Sequence, residues 1–207
     1  FRLLALVPNR AAYSELSGLI SMARRRSPKG EYRVALRDVI FHLKRCLLIW
    51  LPRDDSDSTH AYGLQLQRLC KGRLWLGVSH LLGNNEVQRF LALQRMGEEL
   101  GIPLVACGDV RMHKASRKAL HDVFTALHHN TSIQQLGCKR LGNSQQHLRS
   151  LQTLERLYPQ VLLNETLCIA SLCQFSLDEL RYEYPQEVVP TGHNATSYLK
   201  QLVIDGS

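Results

Sequence analysis

The chain has no run of about 18 apolar residues, the length a membrane-crossing helix needs. No charged segment precedes a short apolar stretch, so no secretory signal is visible. Aromatic residues make up only 7% of the 207 positions, and the six cysteines contain no C-x-x-C pair. Cys46, Cys70, Cys107, Cys138, Cys168 and Cys173 are scattered, with Cys46, Cys107 and Cys168 inside apolar runs where a thiol acts as a small buried hydrophobe. That usage fits reduced cysteines in a cytoplasmic protein better than disulfides or a zinc site. There is no P-loop, no G-x-G-x-x-G after a strand, no G-x-S-x-G and no H-E-x-x-H, which removes the common nucleotide-binding, serine-hydrolase and zinc-protease signatures. No methionine opens the chain; Met22, Met96 and Met112 are its only ones, so it reads as a processed product or a piece of something longer.

What is present in excess is positive charge. The formal net charge is +8, and it is concentrated between residues 21 and 53. There Arg24, Arg25, Arg26, Lys29, Arg33, Arg37, Lys44, Arg45 and Arg53 face only Glu31 and Asp38. Such an excess can serve as an electrostatic footprint for a polyanion, or it can be a solvated basic face. It carries no aromatic interleaving, so phosphate-backbone contact is the only nucleic-acid role it suggests.

A 44% hydrophobic content allows a real core, and its patterning alternates. Residues 1–7 read as a strand. Tyr13, Leu16, Ile20 and Ala23 follow at helical spacing, and the helix ends in the Arg24–Arg26 cluster. Leu36, Val39, Ile40 and Leu43 predict a second helix, 46–51 a strand stopped by Pro52, and 53–59 a polar loop. The acids Asp54, Asp55 and Asp57 in that loop lack the glycine and terminal glutamate of a calcium loop. A helix at 60–71, a strand at 74–78, a helix at 86–100 and a strand at 103–107 complete an alternation that argues for parallel βα units, already under way at residue 1. After residue 113 the pattern turns helical. Ser116 is placed as an N-cap, Leu120, Val123, Phe124 and Leu127 form an apolar stripe ending at His128–His129, and further helices are expected over 147–158 and 161–173. Ser176 and Glu179 have capping-box spacing, and a linker at 190–193 leads to a last amphipathic helix around Tyr198–Val203.

The stretch from Leu100 to His113 organises the rest. Gly101 suits a left-handed helix end and Pro103 forbids continuation. Asp109, Arg111 and His113 then sit just past a buried strand's carboxyl end, where α/β folds place their chemistry. Asp109 and His113, with His80 further round the domain, are the metal-ligand types at hand, since a carboxylate and an imidazole can hold a divalent ion and acidify its water. Arg111 points the other way: a fixed guanidinium can pair with Asp109 and take a metal's electrostatic place.

Several motifs resemble the error-prone bacterial C-family DNA polymerases. They are Tyr13 to Arg33 with its Arg24-Arg25-Arg26 and Lys29-Gly30-Glu31-Tyr32-Arg33, Gly101 to His113, Ser116 to Ala126, His147 to Ser150, Phe175 to Pro185, and Pro190 to Leu199. The resemblance runs in order over nearly the whole chain. It implies an α/β fold of the PHP (polymerase and histidinol phosphatase) type, a distorted (βα) barrel incomplete at its N-terminus and followed by a helical segment. In those terms 1–114 is the remainder of the barrel, 115–175 a helical segment completing it, and 176–207 a linker and the start of the polymerase domain. The family's His-x-His strand is not in this chain, Arg111 stands where its last metal motif has histidine, and an earlier ligand position falls at Arg2. Asp109 and His113 are the metal positions that remain, and the implied site is degenerate.

The family also implies an error-prone, translesion DNA-directed DNA polymerase, with Mg2+ as its metal and primer-template DNA and deoxynucleoside triphosphates as substrates. A sliding clamp and other damage-response proteins are the implied partners, in the cytoplasm, with no membrane. Its catalytic carboxylates lie outside this chain, so the segment is expected to be inactive alone, and Arg24, Arg25, Arg26 and Lys29 are the residues placed near DNA. Two other readings stand beside this one: an active metal-dependent phosphoesterase of the PHP type, and a purely structural domain whose metal site has decayed.

Overall fold

The computed structural model describes residues 2–52, 57–181 and 189–206. Asp54 and Asp55 of the acidic loop, and most of the aromatic and acidic stretch at 181–189, lie outside the described residues. The chain forms two compact units, Phe1–Phe175 and Ser176–Ser207.

In the first unit, β1 (Leu3–Leu6), β2 (Leu47–Trp50), β3 (Leu74–Val78) and β4 (Leu104–Ala106) form, among the described residues, a four-stranded sheet in sequence order. Strands β2 and β3 are buried along their whole length, which is why they read as unbroken apolar runs rather than as alternating ones. The β2–β3 and β3–β4 pairs are parallel, with Ile49 opposite Trp75 and Gly77 opposite Val105. Helices α3 (Asp57–Leu69) and α4 (Glu86–Leu100) supply the crossovers.

The first pair departs from the expected parallel alternation. Strand β1 is antiparallel to β2, with Leu6 opposite Leu47, so the chain leaves β1 and enters β2 at the same end of the sheet. The physical reason is parity. Two helices, α1 (Arg10–Arg25) and α2 (Leu36–His42), separate these strands. One helix returns a chain to the strand's starting end and gives a parallel neighbour, whereas an out-and-back pair delivers it to the finishing end.

One face of the sheet packs Leu48, Trp50, Leu74, Leu76 and Val78 against Ala12 and Leu19 of α1, Leu36 and Val39 of α2, Leu66 of α3, and Leu93, Met96 and Leu100 of α4. The buried face of α1 is thus Ala12, Leu19 and Ala23, while Ile20, expected inside, is exposed, and the half-buried Tyr13 ring lies 5.2 Å from that of Phe175. On the other face Leu47, Ile49, Trp75 and Val105 meet Ile169 of α7 (Gln160–Leu172), and the Trp75 indole N–H donates to Glu165 at 2.6 Å. Helix α7 also lies against β4.

Helix α4 ends as expected. Gly101 is left-handed at φ 62°, and the Ile102 N–H donates to the Gly97 carbonyl at 2.9 Å, the six-to-one bond of a Schellman ending. Ser116 does not cap the following helix. It sits inside a 3-10 turn, Ala115–Arg117, because the extended residue that opens the turn is Lys114, and α5 (Lys118–His128) begins directly after it. Helix α6 spans Leu151–Leu157, capped by the Ser150 hydroxyl. It starts later than 147 because residues 146–148 are held beside Arg111 and Met112 instead. All six cysteines are free thiols; Cys46 and Cys70 are buried, but Cys168 is exposed, being on the outer side of α7. In the second unit Ser176 and Glu179 form the expected capping box on a 3-10 turn, and α8 (Ala195–Asp205) is capped by Asn194. Among the described residues no helix is long and apolar enough to cross a membrane.

Candidate functional site

The carboxyl ends of the parallel strands β2, β3 and β4 lie on one rim of the sheet. Because β1 is antiparallel, its beginning lies there too, and Arg2 precedes it. Asp109 follows β4 in a left-handed conformation, φ 41°, which aspartate tolerates better than most residues. Its side chain is only 14% exposed, and three groups converge on it. Arg2 Nη2 donates to Oδ1 at 2.8 Å, Arg111 Nη2 lies 3.3 Å from the same oxygen, and Gln146 Nε2 donates to Oδ2 at 2.9 Å and to the Asp109 carbonyl at 3.0 Å.

Gln146 is held by the backbone. Its carbonyl accepts from the N–H groups of Arg111 at 2.8 Å and Met112 at 3.2 Å, and the Leu148 N–H donates to the Met112 carbonyl at 3.1 Å. These bonds form a short ladder that lays 146–148 beside 111–112, with Met112 bridged to His147. Nothing in the local sequence marks Gln146, because the groups it serves lie 37 residues earlier.

The neighbouring rim is also satisfied internally. Tyr158, buried, donates its hydroxyl proton to the Cys107 carbonyl at 3.0 Å and accepts from the His80 N–H at 3.1 Å. Burial raises the pKa of both the Tyr158 phenol and the Cys107 thiol, so both stay neutral near pH 7. The His80 ring packs 4.9 Å from the Tyr158 ring and beside Phe90, with Nδ1 3.7 Å from Glu86 Oε2. Arg149 donates to the His80 carbonyl at 2.7 Å.

Of the positions singled out in the sequence, Asp109, Arg111 and Arg2 meet. His113 is exposed and takes no part in this cluster, and His80 belongs to the Tyr158–Glu86 group. Among the described residues no group of three or more His, Cys, Asp or Glu side chains could hold a metal ion. Both Asp109 oxygens already accept from cationic or amide donors, and two guanidinium charges oppose a divalent ion at that carboxylate. The described residues at this rim do not fit a metal centre.

The basic segment divides in the same way. The Arg26 guanidinium is spent inside the protein, on both Asp38 carboxylate oxygens and the Arg33 carbonyl, and Asp38 Oδ2 also accepts the Ala35 N–H at 2.7 Å. Those bonds, led by Arg26, hold the Asp38 carboxyl at a pKa of about 2. Arg24 lies 5.6 Å from the Tyr32 ring centre, while Arg24, Arg25 and Lys29 are exposed. His128 and His129 end α5 with their rings 4.9 Å apart.

Fold and rim together define an α/β domain whose strand-end cluster is closed on itself by ion pairs and hydrogen bonds. No protein-family model matches the chain. Along its length it is similar to error-prone DNA polymerases: 46% identical over 206 residues to one from Saccharophagus degradans, 45% over 204 to one from Teredinibacter turnerae, and 43% over 206 to one from Methylococcus capsulatus. At least 99% of this chain is covered in each comparison, against 20% of each relative. Over its whole length the chain corresponds to a segment of these error-prone DNA polymerases, and it spans about one fifth of the length of the relatives it matches.

Proposed function

We propose that this chain is the PHP-type scaffold segment of a translesion DNA-directed DNA polymerase, which extends a primer 3′ end from deoxynucleoside triphosphates during damage-induced synthesis. The observation that carries this is the end-to-end match at up to 46% identity to proteins named error-prone DNA polymerase. The Mg2+-binding carboxylates of such an enzyme belong to the part of the relatives' length that this chain does not cover.

A curled sheet of the PHP kind is supported by the Arg2–Asp109 contact. Strands β1 and β4 are three interstrand steps apart, about 14 Å in a flat sheet, yet residues at their rims pair at 2.8 Å. In this reading residues 1–114 are the remainder of the barrel, 115–175 complete the PHP region, and 176–207 lead into the polymerase domain. The metal site is degenerate: Arg2 and Arg111 stand in for the ion's charge around Asp109, and His113 is not a ligand. A working phosphoesterase would need ligands that this rim does not supply. Of the four cations placed near DNA, Arg24, Arg25 and Lys29 are exposed and can meet a phosphate backbone, and Arg26 is structural. The clamp and damage-response partners, and a cytoplasmic setting, follow from the polymerase role.

Primer extension by the full-length polymerase carrying this segment, on plain and lesion-containing templates, tests the main statement. Incorporation opposite the lesion is expected, and absence of any template-directed extension would overturn it. Stoichiometric Mn2+ or Zn2+ bound by the segment with Arg2 and Arg111 intact would overturn the degenerate site. Charge reversal of Arg24, Arg25 and Lys29 is expected to weaken DNA binding and flatten its salt dependence; unchanged binding would remove the DNA-facing role.

A further inference from the structure

Helix α5 is turned inside out relative to its sequence. It lies on the protein through Asp122 and Ala126, its two buried residues. Its apolar stripe, Leu120, Val123, Phe124 and Leu127, points to solvent, with Phe124 61% and Leu127 69% exposed. Ile133, on the turn that α5 packs against, is exposed as well. Rotating the helix by half a turn would bury four large side chains and hydrate Asp122, so the observed seating gives up apolar burial. Singly exposed apolar residues need no explanation, but four at positions i, i+3, i+4 and i+7 form one continuous stripe of the kind that marks an interface.

The charge around the stripe narrows the partner. Between residues 110 and 154 the only acid is Asp122, and it is paired with Lys118 at 2.7 Å. Lys114, Arg117, Lys139 and Arg140 are exposed. A second copy of this face would set cations against cations. A nucleic acid would satisfy the cations and leave the four apolar side chains wet. An amphipathic helix with its own apolar stripe and acidic flanks satisfies both.

We propose that the α5 stripe is an intramolecular docking face for an acidic amphipathic helix of the polymerase polypeptide outside residues 1–207. This rests on the polymerase reading, since the chain spans only about 20% of its relatives and most of such a polypeptide lies outside it, tethered to this unit.

The test replaces Phe124 by the photo-crosslinking residue p-benzoylphenylalanine in the full-length polymerase carrying this segment, with primer-template DNA present, and maps the crosslinked peptide. The expected product has the mass of one chain. It joins position 124 to a peptide beyond residues 1–207 with apolar residues three and four apart and acidic neighbours, and the same label at Leu127 reaches the same peptide. Leu127→Glu, on the exposed side of the helix, should cut the Phe124 crosslink yield by about tenfold. A crosslink between two chains, to DNA, only within residues 1–207, or none at all would overturn the proposal. Primer extension on the same sample keeps the two readings apart: an intrachain crosslink in a protein without extension would leave the docking face standing and remove the polymerase.

Discussion

Arg2 donates to Asp109 across 2.8 Å although 107 residues and the full width of the sheet separate them. The contact joins the rims of the two edge strands, so it constrains the curvature of the sheet as well as neutralising a carboxylate that is only 14% exposed. A charged pair with one desolvated partner lies between a surface ion pair and a buried one. A double-mutant cycle with Arg2→Met and Asp109→Asn should therefore give a coupling of about 1–2 kcal/mol in denaturant unfolding. Asparagine also tolerates the left-handed backbone at this position, so the cycle isolates the charge. A coupling near zero would mean that the pair does not hold the two edges together.

Asp38 gives a pH dependence with a definite sign. Its carboxyl sits at about 2 in the folded protein, below its ordinary 3.8, because Arg26 and the Ala35 N–H bind the ionised form. A lowered folded pKa means that the unfolded chain binds the proton first as pH falls. The contribution is complete above about pH 4 and is lost progressively as pH drops towards 2. Acid titration of unfolding stability should show this loss in the native protein and a shallower one in Arg26→Ala, whose Asp38 has lost its main partner. Identical acid limbs would sink the assignment.

Much of this fold is legible in the sequence, and what is not has specific causes. Strand β3 falls on the residues its apolar run marks, Leu74–Val78, and the Gly101 helix ending follows from a single glycine before Pro103. The direction of β1 escapes a reading based on alternation alone, although two predicted helices before the next strand already imply it. The seating of α5 is invisible to periodicity, which finds the stripe and cannot tell whether this unit or another surface covers it. Arg111 beside Asp109 is a local pattern. Gln146 is not: it reaches the site through a ladder between segments far apart in sequence, with no turn or repeat to announce it.

Thiol accessibility should separate the cysteines in native conditions. Cys46 and Cys70 are buried, and burial with the nearby Glu15 carboxylate pushes the Cys46 thiol up to about 11, so little thiolate exists at pH 8 and reagent cannot reach it. Cys138 and Cys168 are exposed. Maleimide labelling followed by peptide mapping should modify Cys138 and Cys168 rapidly, and Cys46 and Cys70 only after unfolding. Early labelling of Cys46 would contradict the packing of β2 against α1. Inert Cys168 would mean that the outer side of α7 is covered.

Two glycines in helices should respond to alanine with opposite signs. A Cβ on Gly97 would lie 2.2 Å from Leu104 Cδ1 and 3.0 Å from the Ile102 carbonyl oxygen, whereas one on Gly18 meets nothing within 4 Å. At Gly97 the leucine belongs to β4 and the carbonyl to the turn that ends α4, so relief requires Leu104 to leave its rotamer and the Ile102 carbonyl to give way slightly. Gly97→Ala should cost about 1–3 kcal/mol, the usual range for overpacking. At Gly18 the only change is the helical preference of alanine over glycine, and Gly18→Ala should stabilise by about 0.5–1 kcal/mol. Denaturant midpoints of the two variants, measured side by side, check both. A neutral Gly97→Ala would show that α4 and Leu104 of β4 are not in this close contact.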